Sequence, residues 1–195
     1  MEKIHIEDKK IFFTSDLHFG HRNVIKFCNR PFADTHEMKE KLIKNWNDTI
    51  TNEDIVFVLG DTFWFNDSHT IKKVLEQLNG EKIYFIPGNH DDFEKYYRVF
   101  ENDRYVFCKD IVVLFTKKLE IWLSHYPMMT WPHRVSKNCF QLFGHIHSKE
   151  GVTEGVDQDL PLHKNQFDVG CDYWDYKPVS LDRVLNLQGE NLQVS

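Results

Sequence analysis

Short apolar runs separated by polar turns recur along the chain. They are rich in β-branched and aromatic side chains, and several are apolar at consecutive positions, as is typical of strands that are covered on both faces. We predict strands at residues 11–13, 55–59, 83–86, 111–115, 121–123 and 140–143.

Two amphipathic segments lie between these runs and have the periodicity of helices. The apolar stripe of the first consists of Met38, Leu42, Trp46 and Ile50. The stripe of the second consists of Ile71, Val74, Leu75 and Leu78. Asp67 or Ser68 is placed to cap this second helix, and Gly80 is placed to end it. Because strands and helices alternate early and strands dominate later, we predict an α/β layered domain.

Composition narrows the class of protein. Of the 195 residues, 41% are hydrophobic and 14% are aromatic, which excludes a disordered chain and supplies one large core. No apolar run approaches the roughly 20 residues of a membrane span, and the charged N-terminus lacks a secretory signal. Since no repeat or linker divides the chain, we expect one cytoplasmic domain over residues 1–195, with no membrane partner.

The cysteines and the net charge exclude further classes. Four scattered cysteines without a C-x-x-C pair argue against a zinc ribbon or a thioredoxin-like site, so we interpret them as reduced, structural thiols. A net charge of −6 disfavours non-specific electrostatic binding to nucleic acid. The 11 histidines are an unusual number, and their positions carry the functional argument.

Side chains that can bind metals follow five of the predicted strands directly. They are Asp16 with His18, Asp61, Asn89 with His90 and Asp91, His125, and His145 with His147. In open α/β sheets, ligands bind beyond the carboxyl ends of the strands, so we expect these side chains to converge. Gly60, Gly88 and Gly144 are expected to let the backbone turn tightly there. Each segment alone is a common turn sequence, but five of them in order favour a metal site.

These five segments resemble the motifs of the calcineurin-like metallophosphoesterase family, which are D-x-H, G-D, G-N-H-(D/E), H and G-H-x-H. The resemblance extends from residue 11 to about residue 180. The chain is most similar in type to the small bacterial and phage members of the family. It implies a four-layer α/β/β/α sandwich of two mixed β-sheets flanked by helices. It also implies two metal ions at one edge of the sandwich.

The resemblance implies which side chains hold each ion. The first ion would be held by Asp16, His18, Asp61 and His147, and the second by Asp61, Asn89, His125 and His145. Asp61 would bridge them, since a carboxylate has two oxygens that can reach two ions about 3.5–4 Å apart. Carboxylate, imidazole and amide ligands suit Mn²⁺, Fe or Zn²⁺ better than Mg²⁺. We expect Mn²⁺, with Fe, Zn²⁺ or Ni²⁺ as alternatives.

The resemblance also implies a mechanism, in which a hydroxide that bridges the ions attacks phosphorus in line and no covalent enzyme intermediate forms. His90 would contact the substrate, as a general acid or by stabilising charge on phosphorus; alternatively it only orients a ligand. Asp91 is the second catalytic candidate, although a role in orienting a ligand suits it better. Many relatives place an acidic partner for this histidine shortly after G-D, whereas here residues 62–65 are mostly apolar.

Several surrounding residues are candidates for binding the substrate. Arg22 could clamp a phosphate oxygen and His21 lies beside it, although Arg22 is equally interpretable as a surface residue. His133 follows the His125 segment in a loop that could form a wall of the site, together with Trp131, for which core packing is the alternative. The stretch from Asp168 to Trp174, followed by P-V-S-L, resembles a closing strand and short helix, and we interpret it as fold rather than chemistry. Residues 150–159 are expected to be an exposed, mobile acidic loop.

We predict a hydrolase, a metal-dependent phosphoesterase that acts on a phosphorylated small molecule or nucleotide. A phosphodiesterase is preferred, because monoester phosphatases of the family usually carry further arginines beside G-D and G-N-H. The alternatives are a phosphomonoesterase or a nucleotide pyrophosphatase and, less favoured, a non-catalytic scaffold of the same fold. Long nucleic acid is not an expected substrate, because the sequence has no basic stripe.

Overall fold

The structure, a computed structural model, describes residues 1–65, 67–92, 100, 102–148 and 160–192, with the side chains of the last helix described to residue 187. In this part of the chain there are ten strands: β1 Glu2–His5, β2 Ile11–Thr14, β3 Ile55–Leu59, β4 Lys82–Ile86, β5 Tyr105–Phe107, β6 Ile111–Phe115, β7 Glu120–Ser124, β8 Cys139–Phe143, β9 Gln166–Asp168 and β10 Val179–Ser180. The helices are α1 Arg22–Phe27, α2 Thr35–Thr49, α3 Ser68–Leu75 and α4 Leu181–Leu192. The predicted acidic loop at 150–159 lies outside the described residues.

The strands form two five-stranded sheets of mixed direction. The first sheet has the order β10-β2-β3-β4-β5, in which β10 is antiparallel to β2 and the other pairs are parallel. The second has the order β1-β6-β7-β8-β9, in which only the β6–β7 pair is antiparallel. The predicted fold class, two mixed sheets with flanking helices, is confirmed. The organisation as a single domain stays a prediction.

The sheets pack face to face. Within the first sheet, the strand register places large side chains of neighbouring strands side by side. Phe57 of β3 lies opposite Phe13 of β2 and Tyr84 of β4, and its ring stacks on both, with centroids 5.8 and 4.6 Å apart. Phe57 and Phe13 belong to one buried cluster with Leu114 and Leu123 of the second sheet. Burial on both faces explains why β3 and β6 are apolar at consecutive positions rather than alternating.

Helices α1, α2 and α3 cover the outer face of the first sheet, whereas α4 packs its Val184 into the cluster between the sheets. Met38, Leu42 and Trp46 of α2 are at most 2% exposed and pack in one cluster with Val56 and Val58 of β3. The predicted stripe of α2 is therefore its buried face. Burying each large apolar side chain contributes about 1.5–3 kcal/mol, before the entropy that ordering costs.

Helix α3 ends earlier than the sequence suggested. Asp67 caps it as predicted, since its carboxylate accepts a hydrogen bond from the Thr70 backbone nitrogen at 2.8 Å. The helix ends at Leu75, however, and Gly80 lies five residues further on with a φ of +135°. Gly80 therefore serves the turn before β4, and the prediction that it ends α3 is wrong.

The remaining elements are the short strands β1, β5, β9 and β10 and the last helix, α4. The closing strand and helix are present as β10 and α4, and α4 is 12 residues long. Strands β1, β5 and β9 have only three or four residues each, too few to show a periodic pattern in the sequence. None of the described helices combines the length and the apolar character that crossing a membrane requires.

Candidate metal centre

The carboxyl ends of five strands meet at one edge of the sandwich. His125, which follows β7, brings its Nε2 atom to 3.6 Å from Oδ2 of Asp61, which follows β3 in the other sheet. The backbone nitrogen of His145, after β8, donates to Oδ2 of Asp16, after β2, at 2.9 Å. We call the predicted ligands the Asp–His cluster; its members are Asp16, His18, Asp61, Asn89, His125, His145 and His147.

The backbone of this cluster is strained. Five of its seven residues have positive φ angles between 45° and 70°: Asp16, His18, Asp61, His145 and His147. Left-handed backbone costs a non-glycine residue on the order of 1–3 kcal/mol and persists only where the surrounding structure enforces it. The strands and their hydrogen bonds therefore hold these side chains in place against a local conformational preference.

The three glycines of the motifs have different roles. Gly60 has a φ of +94°, which agrees with the expected tight turn. A Cβ on Gly88 would lie 2.2 Å from Asp61 Oδ1, and one on Gly144 would lie 2.5 Å from Asp16 Oδ2. A Cβ on Gly144 would also lie 2.0 Å from the Ser15 hydroxyl, so close approach to neighbouring side chains is a further reason for glycine at these two positions.

Asp16, His18 and His147 bring their ligand atoms within 4.8 Å of one another. Among the described residues, Asp16 Oδ1 and His18 Nε2 are buried without a hydrogen-bond partner. Nε2 of His147 lies 3.7 Å from that Asp16 oxygen. Leaving buried polar atoms unpaired costs free energy. A cation placed among them would be bound by lone pairs that have no other use, so the residues fit a metal ion.

A buried arginine, Arg30, forms hydrogen bonds that hold the Asp16 segment in place. Arg30 donates through Nη2 to the Asp16 carbonyl at 2.6 Å and through Nη1 to the Leu17 carbonyl at 3.1 Å. Its Nε and Nη2 atoms also contact the Asp172 carboxylate at 2.9 and 2.7 Å. Both side chains are 0% exposed. Arg30 thus fixes the backbone of the first motif and a carboxylate from 142 residues further along.

Asp172 in turn orients His147. Its Oδ2 accepts from Nδ1 of His147 at 2.8 Å, and the Cys28 sulfur lies 3.3 Å from the same nitrogen. With Nδ1 held by Asp172, Nε2 of His147 faces Asp16 Oδ1. Burial alone would lower the pKa of His147, but Asp16, Asp172 and Cys28 together raise it to about 11. This position therefore favours positive charge.

The second half of the cluster is built around His125 and Asn89. Nδ1 of His125 lies 2.8 Å from the Leu59 carbonyl, and Nε2 lies 3.0 Å from Oδ1 of Asn89. A neutral imidazole has one N–H, so it can satisfy only one of these oxygens. If it donates to Leu59, then the Nε2 lone pair faces the Asn89 oxygen, and a cation between the two atoms would stabilise the arrangement.

Asp61 connects the two halves through a single oxygen. Its Oδ1 accepts a hydrogen bond from the backbone nitrogen of His90 at 2.9 Å. Its Oδ2 faces His18 Nε2 at 3.5 Å and His125 Nε2 at 3.6 Å. Oδ2 thus faces both halves of the cluster, and the bridging role of Asp61 stays a prediction.

Burial sets the charge states within the cluster. It raises the pKa of Asp61, an effect that His125 opposes and Asp16 reinforces. Burial also lowers the pKa of His18 well below its ordinary value. At His18, a neutral imidazole next to crowded carboxylates provides a lone pair and negative charge at the same place, which is what a divalent cation requires.

The two catalytic candidates have different surroundings. The His90 side chain is 38% exposed, and its Nε2 lies 3.9 Å from Asp61 Oδ2. Asp91 is turned inwards, and its carboxylate accepts from the backbone nitrogens of Asp61, Thr62 and Gly88 at 2.7 to 3.0 Å. Asp91 thus fixes the loops after β3 and β4, while His90 is accessible to a substrate. The catalytic roles of both stay predictions.

The three predicted substrate-binding residues lie in different places. His21 is at the cluster, 5.2 Å from the His18 ring, and it stacks on Trp64 with centroids 3.9 Å apart. Arg22 is the first residue of α1 and is exposed. His133 is paired with Glu120 at 2.9 Å, at the start of β7, whereas His125 follows the end of that strand.

His133 is therefore not brought to the cluster. A five-residue strand separates its partner Glu120 from His125, a distance of more than about 13 Å, and its predicted role in substrate binding has no support from this placement. Trp131 is only 4% exposed and belongs to the buried cluster on the outer face of the second sheet. Core packing, the alternative for Trp131, is what the structure shows.

Four residues at the cluster were not among the predicted site residues: Arg30, Cys28, Asp172 and Tyr126. The hydroxyl of Tyr126 donates to Asn89 Oδ1 at 3.3 Å, and its ring packs on His145 with centroids 4.6 Å apart. The sequence carried a signal for Tyr126, which directly follows a predicted ligand. Arg30, Cys28 and Asp172 come near the cluster only because the chain folds. Asp172 lies in the stretch that the sequence indicates to be structural.

Comparison with known proteins identifies the class to which this fold and cluster belong. The sequence profile of the calcineurin-like phosphoesterases matches residues 9–165. The chain belongs to this family. The resemblance seen in the motifs is thereby confirmed.

Individual relatives match over nearly the whole chain. The uncharacterized protein MJ1445 of Methanocaldococcus jannaschii is 36% identical over 182 residues, 92% of this chain and 91% of that protein. Gene 66 protein of Mycobacterium phage L5 is 26% identical and covers 90% of this chain and 92% of its own. The crystal structure of AQ665 from Aquifex aeolicus, a protein of unknown function, superposes with a TM-score of 0.68 at 24% identity, covering 92% of this chain and 100% of that one. The last similarity shows a shared fold.

Proposed function

We propose that this protein is a metal-dependent hydrolase that prefers phosphodiesters. The observation that carries the proposal, in a chain of the phosphoesterase family, is a pair of buried atoms without hydrogen-bond partners, Asp16 Oδ1 and His18 Nε2. The first lies 3.7 Å from His147 Nε2 and the second 3.5 Å from Asp61 Oδ2. The substrate would be a phosphorylated small molecule or a nucleotide. The cytoplasmic location stays a prediction.

The seven residues of the Asp–His cluster are proposed as the ligands of two divalent ions. Asp16, His18 and His147 would hold one, Asn89, His125 and His145 the other, and Asp61 would serve both. Ions bound there would lower the pKa of a water molecule and neutralise phosphoryl oxygens. The mixed oxygen and nitrogen donors suit Mn²⁺ first and Fe, Zn²⁺ or Ni²⁺ as alternatives.

His90 is proposed as the residue that meets the leaving oxygen. Its side chain is accessible, and its backbone nitrogen holds Asp61 Oδ1, so its position is tied to that of the bridging carboxylate. From there it could donate a proton to the departing alkoxide. Asp91 would keep the Asp61 and Gly88 backbones in place by the hydrogen bonds described above.

The preference for diesters is supported by the burial of Arg30 and its ion pair with Asp172. A monoester carries a second negative charge that an arginine usually pairs with. Arg30 lies beside the cluster, but its guanidinium is 0% exposed and bound to Asp172. It is therefore occupied in holding the protein together and has no face that a substrate can reach.

The proposal is tested by assaying bis(4-nitrophenyl) phosphate and 4-nitrophenyl phosphate with Mn²⁺, Ni²⁺, Zn²⁺ and Mg²⁺ after chelation. We expect a higher kcat/KM for the diester, and the highest turnover with Mn²⁺. Asp61→Asn should lose activity together with bound metal, because the carboxylate serves both ions. Metal-loaded protein that hydrolyses neither ester would contradict the proposal.

The role of His90 requires a separate variant. His90→Ala should retain the metal content and, for a diester with an alkoxide leaving group, lower kcat by about 10²–10⁴-fold, the usual loss for an acid–base group. His69→Ala, which removes an exposed histidine of α3, is the matched control and should behave as wild type. Full activity of His90→Ala would refute the role.

A further inference from the structure

A pocket of about 340 Å³ adjoins the open side of the Asp–His cluster. It lies where the segment after β4 meets the end of β7 and the start of β6. Its wall includes Asn89, His125, Tyr126, Ile111 and Met128. Two proposed metal ligands, Asn89 and His125, are thus also walls of this pocket. A phosphoryl group held at the cluster would place one of its substituents at the pocket entrance.

The lining of the pocket selects against a second negative charge. Its walls are largely apolar, with Pro87, Ile111, Pro127 and Met128 among them. Asp110 is an acidic residue at its edge, and the described lining contains no lysine or arginine. A second phosphate would meet a carboxylate without a compensating cation, whereas an uncharged apolar group would displace water from apolar walls.

Tyr126 favours a flat group in this pocket. Its side chain is 50% exposed, although the hydroxyl is held by Asn89 and the ring packs against His145. The ring is therefore fixed at the rim with part of its surface open. Aromatic rings pair favourably with other rings at centroid distances of 4.5–7 Å.

The position of His90 identifies which ester substituent would enter. The His90 ring lies 4.8 Å from Trp64 and 5.6 Å from His18, next to the His21–Trp64 stack. The leaving oxygen would be on that side, where His90 can donate to it. The substituent that stays on phosphorus would then be directed towards Tyr126 and the pocket.

We infer that this pocket binds the non-leaving substituent of a phosphodiester and selects a flat, uncharged ring, such as a nucleobase or an aryl group. The inference rests on the proposed function and deepens it by specifying the substrate class. It disfavours substrates in which that substituent is a further phosphate.

A pair of substrates with the same leaving group provides the kinetic test. Thymidine 5′-(4-nitrophenyl) phosphate and methyl 4-nitrophenyl phosphate differ only in the substituent that remains on phosphorus. We expect kcat/KM for the thymidine ester to exceed that for the methyl ester by at least about tenfold, the benefit of burying one ring. Ile111→Trp, which fills the pocket, should reduce this ratio to about one or two.

Val135→Trp is the matched control, because it adds the same side chain at a position that is 79% exposed and lines a different surface. It should retain the wild-type ratio. If the two esters react equally and Ile111→Trp leaves the ratio unchanged, the pocket inference is wrong while the hydrolase proposal stands. If neither ester reacts in metal-loaded protein, the proposed function itself fails.

A binding measurement tests the pocket without turnover and without a variant that alters it. In protein labelled with ¹³C-methyl methionine and loaded with Zn²⁺, phenylphosphonate should shift the Met128 methyl resonance, and methylphosphonate should shift it much less. Met129 is 98% exposed and Met38 is fully buried in another cluster, so both are internal controls that should not move. Equal shifts of Met128 with the two phosphonates, or none, would overturn the inference.

Discussion

The two halves of the Asp–His cluster differ in burial and in what supports them. In the half formed by Asp16, His18 and His147, which we call the buried half, the first two side chains are at most 4% exposed. In the open half, formed by Asn89, His125 and His145, His125 is buried but Asn89 is exposed. Asp61 belongs to both.

The residues that support the buried half are themselves more buried and more tightly hydrogen-bonded than the residue that supports the open half. The buried half rests on Arg30 and Asp172, which are 0% exposed and joined by two short hydrogen bonds. The open half has Tyr126, whose one hydrogen bond to Asn89 is 3.3 Å long and exposed. One half is thus rigidly supported and the other is open to solvent, and the following experiments compare the two halves.

The largest expected effect is on stability, from breaking the support of the buried half. Arg30→Met leaves Asp172 buried without its partner, so the free energy of unfolding should fall by about 3–5 kcal/mol in urea titrations. The double variant Arg30→Met/Asp172→Leu should recover part of this loss, because both charges of the pair are removed together, while the Asp16 and Leu17 carbonyls and His147 Nδ1 lose their partners. Lys44→Ala, which breaks the exposed pair with Asp48, should cost about 0.5 kcal/mol or less. An Arg30→Met loss as small as that of Lys44→Ala would contradict the account.

The pH dependence of the same pair should be the next largest effect. Although burial opposes it, Arg30 and His147 lower the pKa of Asp172 to about 2. A carboxylate with a lowered pKa stabilises the fold above its unfolded pKa, about 3.9, and this stabilisation is lost as pH falls through about 2. Wild type should therefore lose up to about 2.6 kcal/mol relative to the double variant between pH 5 and pH 2. A relative loss centred at pH 6 would exclude Asp172 as its source.

Much of the fold was predictable because the local pattern and the tertiary role agree. Each of the six predicted strands is present, and the α2 stripe is the buried face. The metal motifs were also predictable, since they follow strand ends directly and stand in family order. Asp16 and His125, which follow strands of different sheets, are examples of residues that the motifs place in the cluster.

The supports of the cluster could not be predicted, because nothing local distinguishes them. Arg30 and Asp172 are 142 positions apart, and each has the appearance of a surface charge until the fold buries both. His133 shows the opposite error: it is eight residues beyond His125 in the sequence, yet the loop returns it to the other end of β7. Side-chain direction after a long connection is a tertiary property that spacing alone does not encode.

The smallest expected effect compares the two supports through metal affinity. Asp172→Asn should weaken binding of the tighter Mn²⁺ ion by about 10–100-fold, because His147 loses the carboxylate that orients it. Tyr126→Phe removes one exposed hydrogen bond and should change Mn²⁺ affinity about threefold or less. Both constants are measured by calorimetric titration of chelated, folded protein. Equal effects of the two variants would remove the distinction between the halves.

The most direct test of the dinuclear cluster is anomalous diffraction at the manganese edge from crystals grown with Mn²⁺. The account predicts two peaks about 3.5–4 Å apart, both within bonding distance of Asp61, with the stronger peak beside Asp16, His18 and His147. A map with no peak among these side chains, or with manganese only at surface carboxylates elsewhere, would contradict it.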